Sequence, residues 1–422
     1  MTGVFEDEIV DATRNTASAP SAGGQRPVIS VVMPCLNEEA SVAYCVALAL
    51  KGIAKTGLPG EVVVSDNGST DNSVAVAKAA GARVVHATKR GYGNAYRKGF
   101  EEARGDFIVM GDSDSTYDFS QLDKLITPLQ EGYDYVLGSR FAGKILPGAM
   151  PWSHRYVGNP VLTGILNTFF HLNSSDAHSG MRAFTRSAYE RMDLRCEGME
   201  FASEIVMKAA RNKLRITEVP ITYHPRTGDS KLHSLRDGWR HLRFMLLHAP
   251  RYLFLVPGLV LLTLGIIGQI ALLPGTLSIG GHALDSHFSV LFTLLSIVGF
   301  QIVVFGVFAN VYGYTRGVMG ADERIYLWVR RRVTLERGLV VGGLVFLAGF
   351  AVDAFVLADW LQRDFGPLNQ MKLALLGMTL MVLGVQTAFA SFFVSLLSLE
   401  HVDSAGTVEA ATEQVPVSAS VV

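Results

Sequence analysis

The sequence predicts two kinds of structure in one chain: an α/β domain with a mostly parallel sheet, then an all-α unit of four membrane-crossing helices. Three observations carry this. Between residues 28 and 250, short β-branched runs alternate with helix-length amphipathic stretches, the pattern of βαβ units whose parallel sheet is covered on both faces. Four apolar segments follow, Leu253–Leu273, Phe288–Tyr312, Leu339–Leu357 and Leu373–Leu397, each long enough to supply the ~20 residues that about 30 Å of hydrocarbon requires. The loops that end three of the early strands carry Asp, Asn or Glu, and ligands of an open α/β sheet gather at those carboxyl ends.

Composition narrows the class. Of 422 residues, 49% are hydrophobic, and the apolar excess sits in 252–398 rather than being spread evenly. A formal net charge of −1 supplies no global field for nucleic acid. The cysteines, Cys35, Cys45 and Cys196, are odd in number and follow no metal spacing, so a disulfide framework is not expected and a reducing compartment is. No charged stretch followed by an apolar core opens the chain, so no signal peptide is expected. Residues 1–26 and 399–422 are rich in small and polar residues and are expected to be disordered tails. That leaves 27–233 for the α/β domain, 234–251 for a connecting helix and 252–398 for the membrane spans.

Taken in order, Val28–Met33 is a strand halted by Pro34, and Glu38–Lys55 an amphipathic helix. Glu61–Ser65 is a second strand, ended by the polar cluster Asp66-Asn67-Gly68-Ser69-Thr70-Asp71, which leads into a helix over Asn72–Ala80. Arg83–His86 is a third strand. Gly91-Tyr92-Gly93 then precedes a helix over Asn94–Ala103; this is either an ordinary loop or backbone brought close to a phosphate. Phe107–Met110 is the fourth strand, bounded by Gly105-Asp106 and Gly111. Later come a strand at Tyr135–Gly138, helices over Tyr156–His171 and Met199–Asn212, and a strand at Leu214–Val219. Over Ser234–Arg251, Trp239, Leu242, Met245, Leu246 and Leu247 alternate with Arg236, Arg240, His241 and Arg243. Two readings fit that pattern: a helix lying in a membrane interface, or one packed on the α/β domain. Six arginines (316, 324, 330, 331, 332 and 337) lie between the second and third spans, against none between the first and second. The positive-inside rule places 313–338 in the cytosol, and an even number of spans puts the α/β domain there as well.

The centre of the sequence is Gly111-Asp112-Ser113-Asp114-Ser115-Thr116-Tyr117-Asp118. Asp112 and Asp114, at the point where the fourth strand opens into a loop, can turn toward one hard cation. Such a cation takes one or two protein carboxylates and completes its shell with substrate phosphate oxygens. The competing reading is a polar loop that caps the next helix.

Other motifs weigh in. Pro34-Cys35-Leu36-Asn37-Glu38-Glu39, Asp66-Asn67-Gly68-Ser69-Thr70-Asp71, Asp112-Ser113-Asp114 and Ser179-Gly180-Met181-Arg182-Ala183-Phe184 occur in this order. Together they resemble a family 2 glycosyltransferase with the GT-A (Rossmann-like) fold. Gly228-Asp229-Ser230-Lys231-Leu232 and the four spans resemble its polyprenyl-phosphate branch, of the dolichol-phosphate mannose synthase type. The motif match covers about 30–250; over 252–398 the likeness is one of layout. The resemblance implies that Pro34, Asn37, Glu38 and Asp66 hold the nucleotide and that Asp112 and Asp114 hold Mg2+ or Mn2+. In relatives the residue two beyond the second aspartate serves as a further ligand; here it is Thr116, a poorer one, so water or Asp118 is expected to complete the shell.

Positions matching the family's acceptor-phosphate cations are Arg140, Arg155, Arg226 and, with them, Asn159 and Lys231, although each arginine alone also reads as a surface charge. Asp176 is expected to contact sugar hydroxyls or steady the acceptor loop. Glu204 is expected to assist at the site or to favour the positive end of its helix. The reading that follows is a metal-dependent, inverting, multi-pass enzyme of the cell membrane with a cytoplasmic catalytic domain. It moves one hexose from UDP-glucose or GDP-mannose to a polyprenyl phosphate, in contact with membrane lipid and without nucleic acid; homo-oligomerisation is left open. One alternative is a processive polysaccharide synthase of the same fold, but the nearest stretch to its acceptor motif, Arg236-Asp237-Gly238-Trp239-Arg240, lacks the required Gln-x-x-Arg-Trp. Another is a lipid transporter with an attached regulatory domain. Among ionisable groups its spans offer chiefly Asp353, where a translocation path normally displays more.

Overall fold

The computed structural model describes residues 26–227, 234–279, 282–315, 323–366 and 370–410. The chain divides into two compact units, Met1–Met245 and Leu246–Val422.

The first unit is built on a seven-stranded sheet in the order β3-β2-β1-β4-β6-β5-β7. Its strands are β1 (Ile29–Cys35), β2 (Gly60–Asp66), β3 (Arg83–His86), β4 (Phe107–Met110), β5 (Tyr135–Ile145), β6 (Arg182–Thr185) and β7 (Ile216–Tyr223). All pairings are parallel except those of β6, which runs antiparallel between β4 and β5. In the sequence Arg182-Ala183-Phe184 belongs to a motif and nothing marks a strand there, because four residues flanked by loop are too short for a periodic signal. Between strands run α1 (Val42–Thr56), α2 (Ser73–Ala79), α3 (Tyr92–Glu102), α4 (Leu122–Gln130), α5 (Asn159–Phe170), α6 (Arg186–Met192) and α7 (Phe201–Arg211). One apolar core lies under α1 and α4 and includes Val31, Met33, Val109, Phe119 and Leu122. The other lies under α3 and α7 and includes Tyr96, Phe100, Ile108, Phe184 and Phe201. A parallel sheet buried on both faces thus explains why β1, β2 and β4 read as continuous apolar runs.

Register aligns the business end of the sheet. Cys35 pairs with Asp66 across β1 and β2, and Val32 with Met110 across β1 and β4. The loops after β1, β2 and β4 therefore leave the sheet from one edge. Farther along, α8 (Ser234–Leu247) turns Met245 and Phe244 into the second core and buries His241, while Trp239 stays 60% exposed. Of the two readings of this helix, packing on the α/β domain therefore describes its inner face. Trp152, Tyr156, Val157 and Val161, around the start of α5, are the other large hydrophobic residues this unit leaves exposed among its described residues.

The second unit contains four helices long and apolar enough to cross a membrane: Arg251–Leu272, Ser286–Thr315, Leu335–Gln362 and Met371–Leu397. Their helical segments are α9 (Val256–Leu272), α10 (Ser286–Thr315), α12 (Leu335–Gln362) and α13 (Met371–Ala410), with the short α11 (Glu323–Arg332) before α12. Strands β8 (Leu277–Ile279) and β9 (His282–Leu284) pair between α9 and α10. Small residues let the helices approach: Gly258 and Gly299 face each other across α9 and α10, as Gly342 and Gly384 do across α12 and α13. Gln269 Nε2 donates to Thr293 Oγ1 at 3.0 Å and Thr379 Oγ1 at 3.1 Å, so its amide nitrogen ties helices together, while Oε1 is buried without a partner among the described residues. The fourth helix continues to Ala410, past Glu400 where a disordered tail was expected, because extending a formed helix costs little.

Candidate functional site

The three loops at the common edge are knitted together. Asn37 adopts the left-handed region (φ 53°), accepts at Oδ1 from Thr70 N at 2.8 Å and donates its own N–H to Ser69 Oγ at 3.0 Å. Glu38 N donates to Ser73 Oγ at 2.9 Å. Asp66 accepts from Ser69 N at 3.0 Å and Gly68 N at 3.3 Å and lies 3.2 Å from His86 Nδ1. Burial works against its charge, but these hydrogen bonds outweigh it and hold the carboxyl below its ordinary range. Pro34 O accepts from Ser113 Oγ at 2.7 Å, and Ser41 Oγ donates to Ser113 O at 2.7 Å. The loop after β4 is thereby pinned to the turn after β1.

Within that loop each aspartate commits one oxygen. Asp112 Oδ1 accepts from Tyr92 Oη and from Tyr96 Oη, each at 3.0 Å. Asp114 Oδ1 accepts from Thr116 N at 3.1 Å and Thr116 Oγ1 at 2.6 Å. Asp112 Oδ2 lies beside Gly180, where a Cβ would come within 2.8 Å of it. Burial and then the neighbouring Asp114 carboxylate push the Asp112 carboxyl up to about 6, while the tyrosine hydroxyls and Arg226 pull the other way. Two neighbouring carboxylates, Asp114 buried and Asp112 partly so, each with one oxygen left outside these hydrogen bonds, are a donor set that suits a hard divalent cation. The residues therefore fit such an ion, with Asp112 and Asp114 as its holders. Thr116 is spent on Asp114. Of the two expected completions, water or Asp118, the Asp118 carboxylate is engaged elsewhere: it accepts from Ser120 N at 2.9 Å and Gln121 Nε2 at 2.7 Å and caps the next turn. Among the described residues no third His, Cys, Asp or Glu joins the pair to form a metal cluster.

The segment after β7 lies along this loop. His224 N donates to Thr116 O at 2.9 Å, Thr227 N donates to Asp114 O at 3.3 Å, and Ser115 Oγ is 2.6 Å from Thr227 Oγ1. Arg226 reaches Glu38 Oε1 with Nη2 at 2.7 Å and Asp114 Oδ2 with Nη1 at 3.2 Å. Its Nε, like His224 Nε2, is buried with no hydrogen-bond partner among the described residues.

The other predicted cations divide. Arg140 is buried, and its Nε and Nη2 grip Asp176 Oδ2 and Oδ1 at 2.7 and 2.8 Å. The backbone N–H of Arg140 adds a third bond to Asp176 Oδ2 at 3.0 Å. These two residues satisfy each other, so Arg140 presents no free charge and Asp176 no free acceptor. Glu204 is also internal: it accepts from Arg195 N at 2.9 Å and Cys196 N at 2.7 Å and pairs with Lys208 at 3.0 Å. Arg155 lies before α5 with its guanidinium 5.5 Å from the Tyr156 ring centroid, and Asn159 opens that helix. Neither is tied to the aspartates. Lys231 and the motif Gly228–Leu232 lie outside the described residues.

Sequence reasoning missed Tyr92 and Tyr96, and also Tyr117, whose Oη accepts from Gly180 N at 2.6 Å. The signal was present: Tyr92 and Tyr96 stand four apart on one helix face, which α3 turns toward Asp112. The helix itself starts at Gly91, whose φ of 137° and contact with Glu197 O leave no room for a Cβ.

Comparison with known proteins gives the family. Residues 30–193 match the model "Glycosyl transferase family 2", and 307–398 match "Glycosyltransferase family 2 C-terminal transmembrane region". The chain is 43% identical over 372 residues to the low-salt glycan biosynthesis hexosyltransferase Agl6 of Haloferax volcanii, covering 88% of this chain and 89% of that protein. It is 30% identical over 212 residues to a dolichyl-phosphate hexose transferase of the same organism, covering 50% of this chain and 89% of that protein. Among solved structures it is similar to glucosyl-3-phosphoglycerate synthase from Mycobacterium tuberculosis in complex with Mg2+ and UDP. That likeness has a TM-score of 0.42 and 22% identity over 56% of this chain and 82% of that one.

Proposed function

We propose, from the premise that the chain belongs to glycosyl transferase family 2 and is a membrane-bound hexosyltransferase, that it moves one hexose from a nucleotide sugar to a polyprenyl phosphate. The observation that carries the proposal is the Asp112–Asp114 pair at the end of β4, with Arg226 reaching Asp114 from the segment after β7. Asp112 and Asp114 would hold Mg2+ or Mn2+, which when bound supplies Lewis-acid neutralisation of the departing diphosphate.

The chain's own residues supply the rest. Asn37, Glu38, Asp66 and the Pro34 turn form the wall at the edge of the sheet that receives the nucleotide. Tyr92 and Tyr96 hold Asp112 in place, and Thr116 holds Asp114. A phosphate monoester is already anionic near neutral pH, so the attacking oxygen needs no strong base. It needs permanent cations that orient it, and a guanidinium suits that task because it is always charged and binds phosphate through paired N–H groups. Arg226 fills that place, and Arg155 with Asn159 is assigned to the acceptor's approach; Lys231 remains a candidate by family position. Arg140 and Asp176, being mutually satisfied, hold the floor of the site. In the transfer the phosphate oxygen forms the new bond to the anomeric carbon, and the electron pair of the breaking bond leaves with the diphosphate. One such step inverts the anomeric centre.

A lipid acceptor is supported by the four apolar helices and by the exposed Trp152, Tyr156, Val157, Val161 and Trp239 of the first unit. Aromatic residues of this kind favour the membrane–water boundary. The arginine-rich connection before α12 supports a cytosolic catalytic unit. The donor is UDP-glucose or GDP-mannose. Incubating membranes that carry the protein with a panel of labelled nucleotide hexoses and undecaprenyl or decaprenyl phosphate tests the reading. A labelled, alkali-resistant lipid-phosphate hexose is expected; label only in polymer, or none with any lipid phosphate, would refute it.

A further inference from the structure

Arg226 stands where a cation is wanted. Asp114 has given Oδ1 to the backbone and hydroxyl of Thr116, so Oδ2 is the oxygen left to meet a metal. That oxygen is the one Arg226 Nη1 approaches, at 3.2 Å. The same guanidinium holds Glu38 Oε1 at 2.7 Å, so it bridges the turn after β1 to the loop after β4. Without a positive charge there, Glu38 and Asp114 would face each other as carboxylates, and burial makes such repulsion costly. The guanidinium's third edge, Nε, is buried with no partner among the described residues, so its present position leaves one donor unsatisfied.

We infer that Arg226 is a built-in counter-cation that competes with the divalent ion for Asp114 Oδ2, and that metal binding turns its guanidinium toward an anionic acceptor. The inference rests on the reading that Asp112 and Asp114 hold the metal. It deepens that reading by coupling the metal to the acceptor phosphate through Arg226. A guanidinium bound to two carboxylates is a poor phosphate receptor because its charge is already spent. Once the ion takes over the Asp114 carboxylate, the fork and its unsatisfied Nε meet phosphate oxygens instead. Linkage then requires metal and acceptor to strengthen each other's binding through Arg226.

The test uses the full chain in detergent and reads binding, not turnover. Mn2+ is titrated without nucleotide and free ion followed by electron paramagnetic resonance. Arg226→Gln, which keeps hydrogen-bonding capacity but removes the charge, should bind Mn2+ about tenfold tighter than the wild type, a coupling of ordinary size. Arg226→Lys, which keeps the charge, should tighten it less. In the wild type, Mn2+ should also strengthen binding of a short-chain polyprenyl phosphate, and in Arg226→Gln that strengthening should disappear. Unchanged or weaker Mn2+ binding by a folded Arg226→Gln protein overturns the inference, since a merely structural tie would not restrain the metal. If Arg226→Gln does not fold, the order of the wild type and Arg226→Lys decides in the same way. Asp112→Asn and Asp114→Asn separate the two ideas: Mn2+ binding that survives both refutes the metal site itself, whatever Arg226 does.

Discussion

Two buried ionic clusters lie in the first unit, and they differ in one respect that decides their roles. Around Asp176 the accounts are closed: Arg140 supplies a bidentate grip and a backbone N–H, and both side chains are almost wholly buried. Around Asp112 and Asp114 they are not. Asp114 shares Arg226 with Glu38, and the proximity of Asp114 adds to burial in raising Asp112 to about 6. Each cluster was expected from sequence to take part in chemistry. The lesson is that a compensated pair in the interior is framework, whereas uncompensated like charge at the end of a strand is poised for a ligand.

Four measurements break or sharpen this contrast. The largest effect is expected at the uncompensated pair. Asp112→Asn or Asp114→Asn should lower transfer about a thousandfold, because several kcal/mol of leaving-group stabilisation are lost, while melting temperature holds; near-normal turnover at saturating metal would sink the contrast. At the compensated pair the balance should reverse. Arg140→Ala or Asp176→Ala is expected to cost about 3–5 kcal/mol of stability by stranding a buried charge, seen in denaturant unfolding. A stable variant with only a raised lipid-phosphate requirement would return Arg140 to the acceptor site. Smaller still is Arg155→Ala: the acceptor KM should rise about tenfold, the value of one charge-assisted hydrogen bond, with the donor KM unmoved. Equal effects on both substrates in steady-state kinetics would remove Arg155 from the acceptor's path.

The smallest effect concerns a third buried cluster, in which Ser203 Oγ sits 2.9 Å from His241 Nδ1 and 3.3 Å from His178 Nε2. Burial lowers the pKa of both imidazoles; His178 is pushed down further by His241, Arg182 and Arg140, and for His241 Arg182 works with burial against Glu200 and Asp237. Both rings therefore stay neutral when folded, and below about 6.5 the unfolded chain binds protons that the folded one does not. Stability contributed here is complete above that pH and is lost as pH falls through it. Melting curves between pH 7.5 and 5.5 should decline, and the decline should be shallower in His241→Gln; an equally steep decline would clear the pair.

Much of the fold was legible because its signals are local. The apolar runs of β1, β2 and β4 and the four spans follow directly from burial on both faces of a sheet and from the thickness of a bilayer. What escaped was short or cooperative. β6 has four residues and is a strand only because β4 and β5 offer it edges. The inner face of α8 could not be told from an interfacial face, since Met245 and Phe244 are equally apolar against lipid or against a protein core. At the site, Asp112 and Asp114 stood out by their spacing at the end of a strand, whereas Asn37, Glu38 and Asp66 were expected from the family resemblance. The partners could not: Tyr92 and Tyr96 lie well before Asp112 in the chain and Arg226 far after Asp114.

By itself, then, the sequence determined which residue types end the strands and how many helices are apolar enough to span, because alternation and hydrophobic length are written residue by residue. Only the tertiary structure decided which charges meet which. Arg140 and Arg226 are indistinguishable as letters; one is enclosed by Asp176 and the other set between Glu38 and Asp114. The chemistry open to a charge depends on what surrounds it and on how much water is kept out, and both are properties of the folded chain.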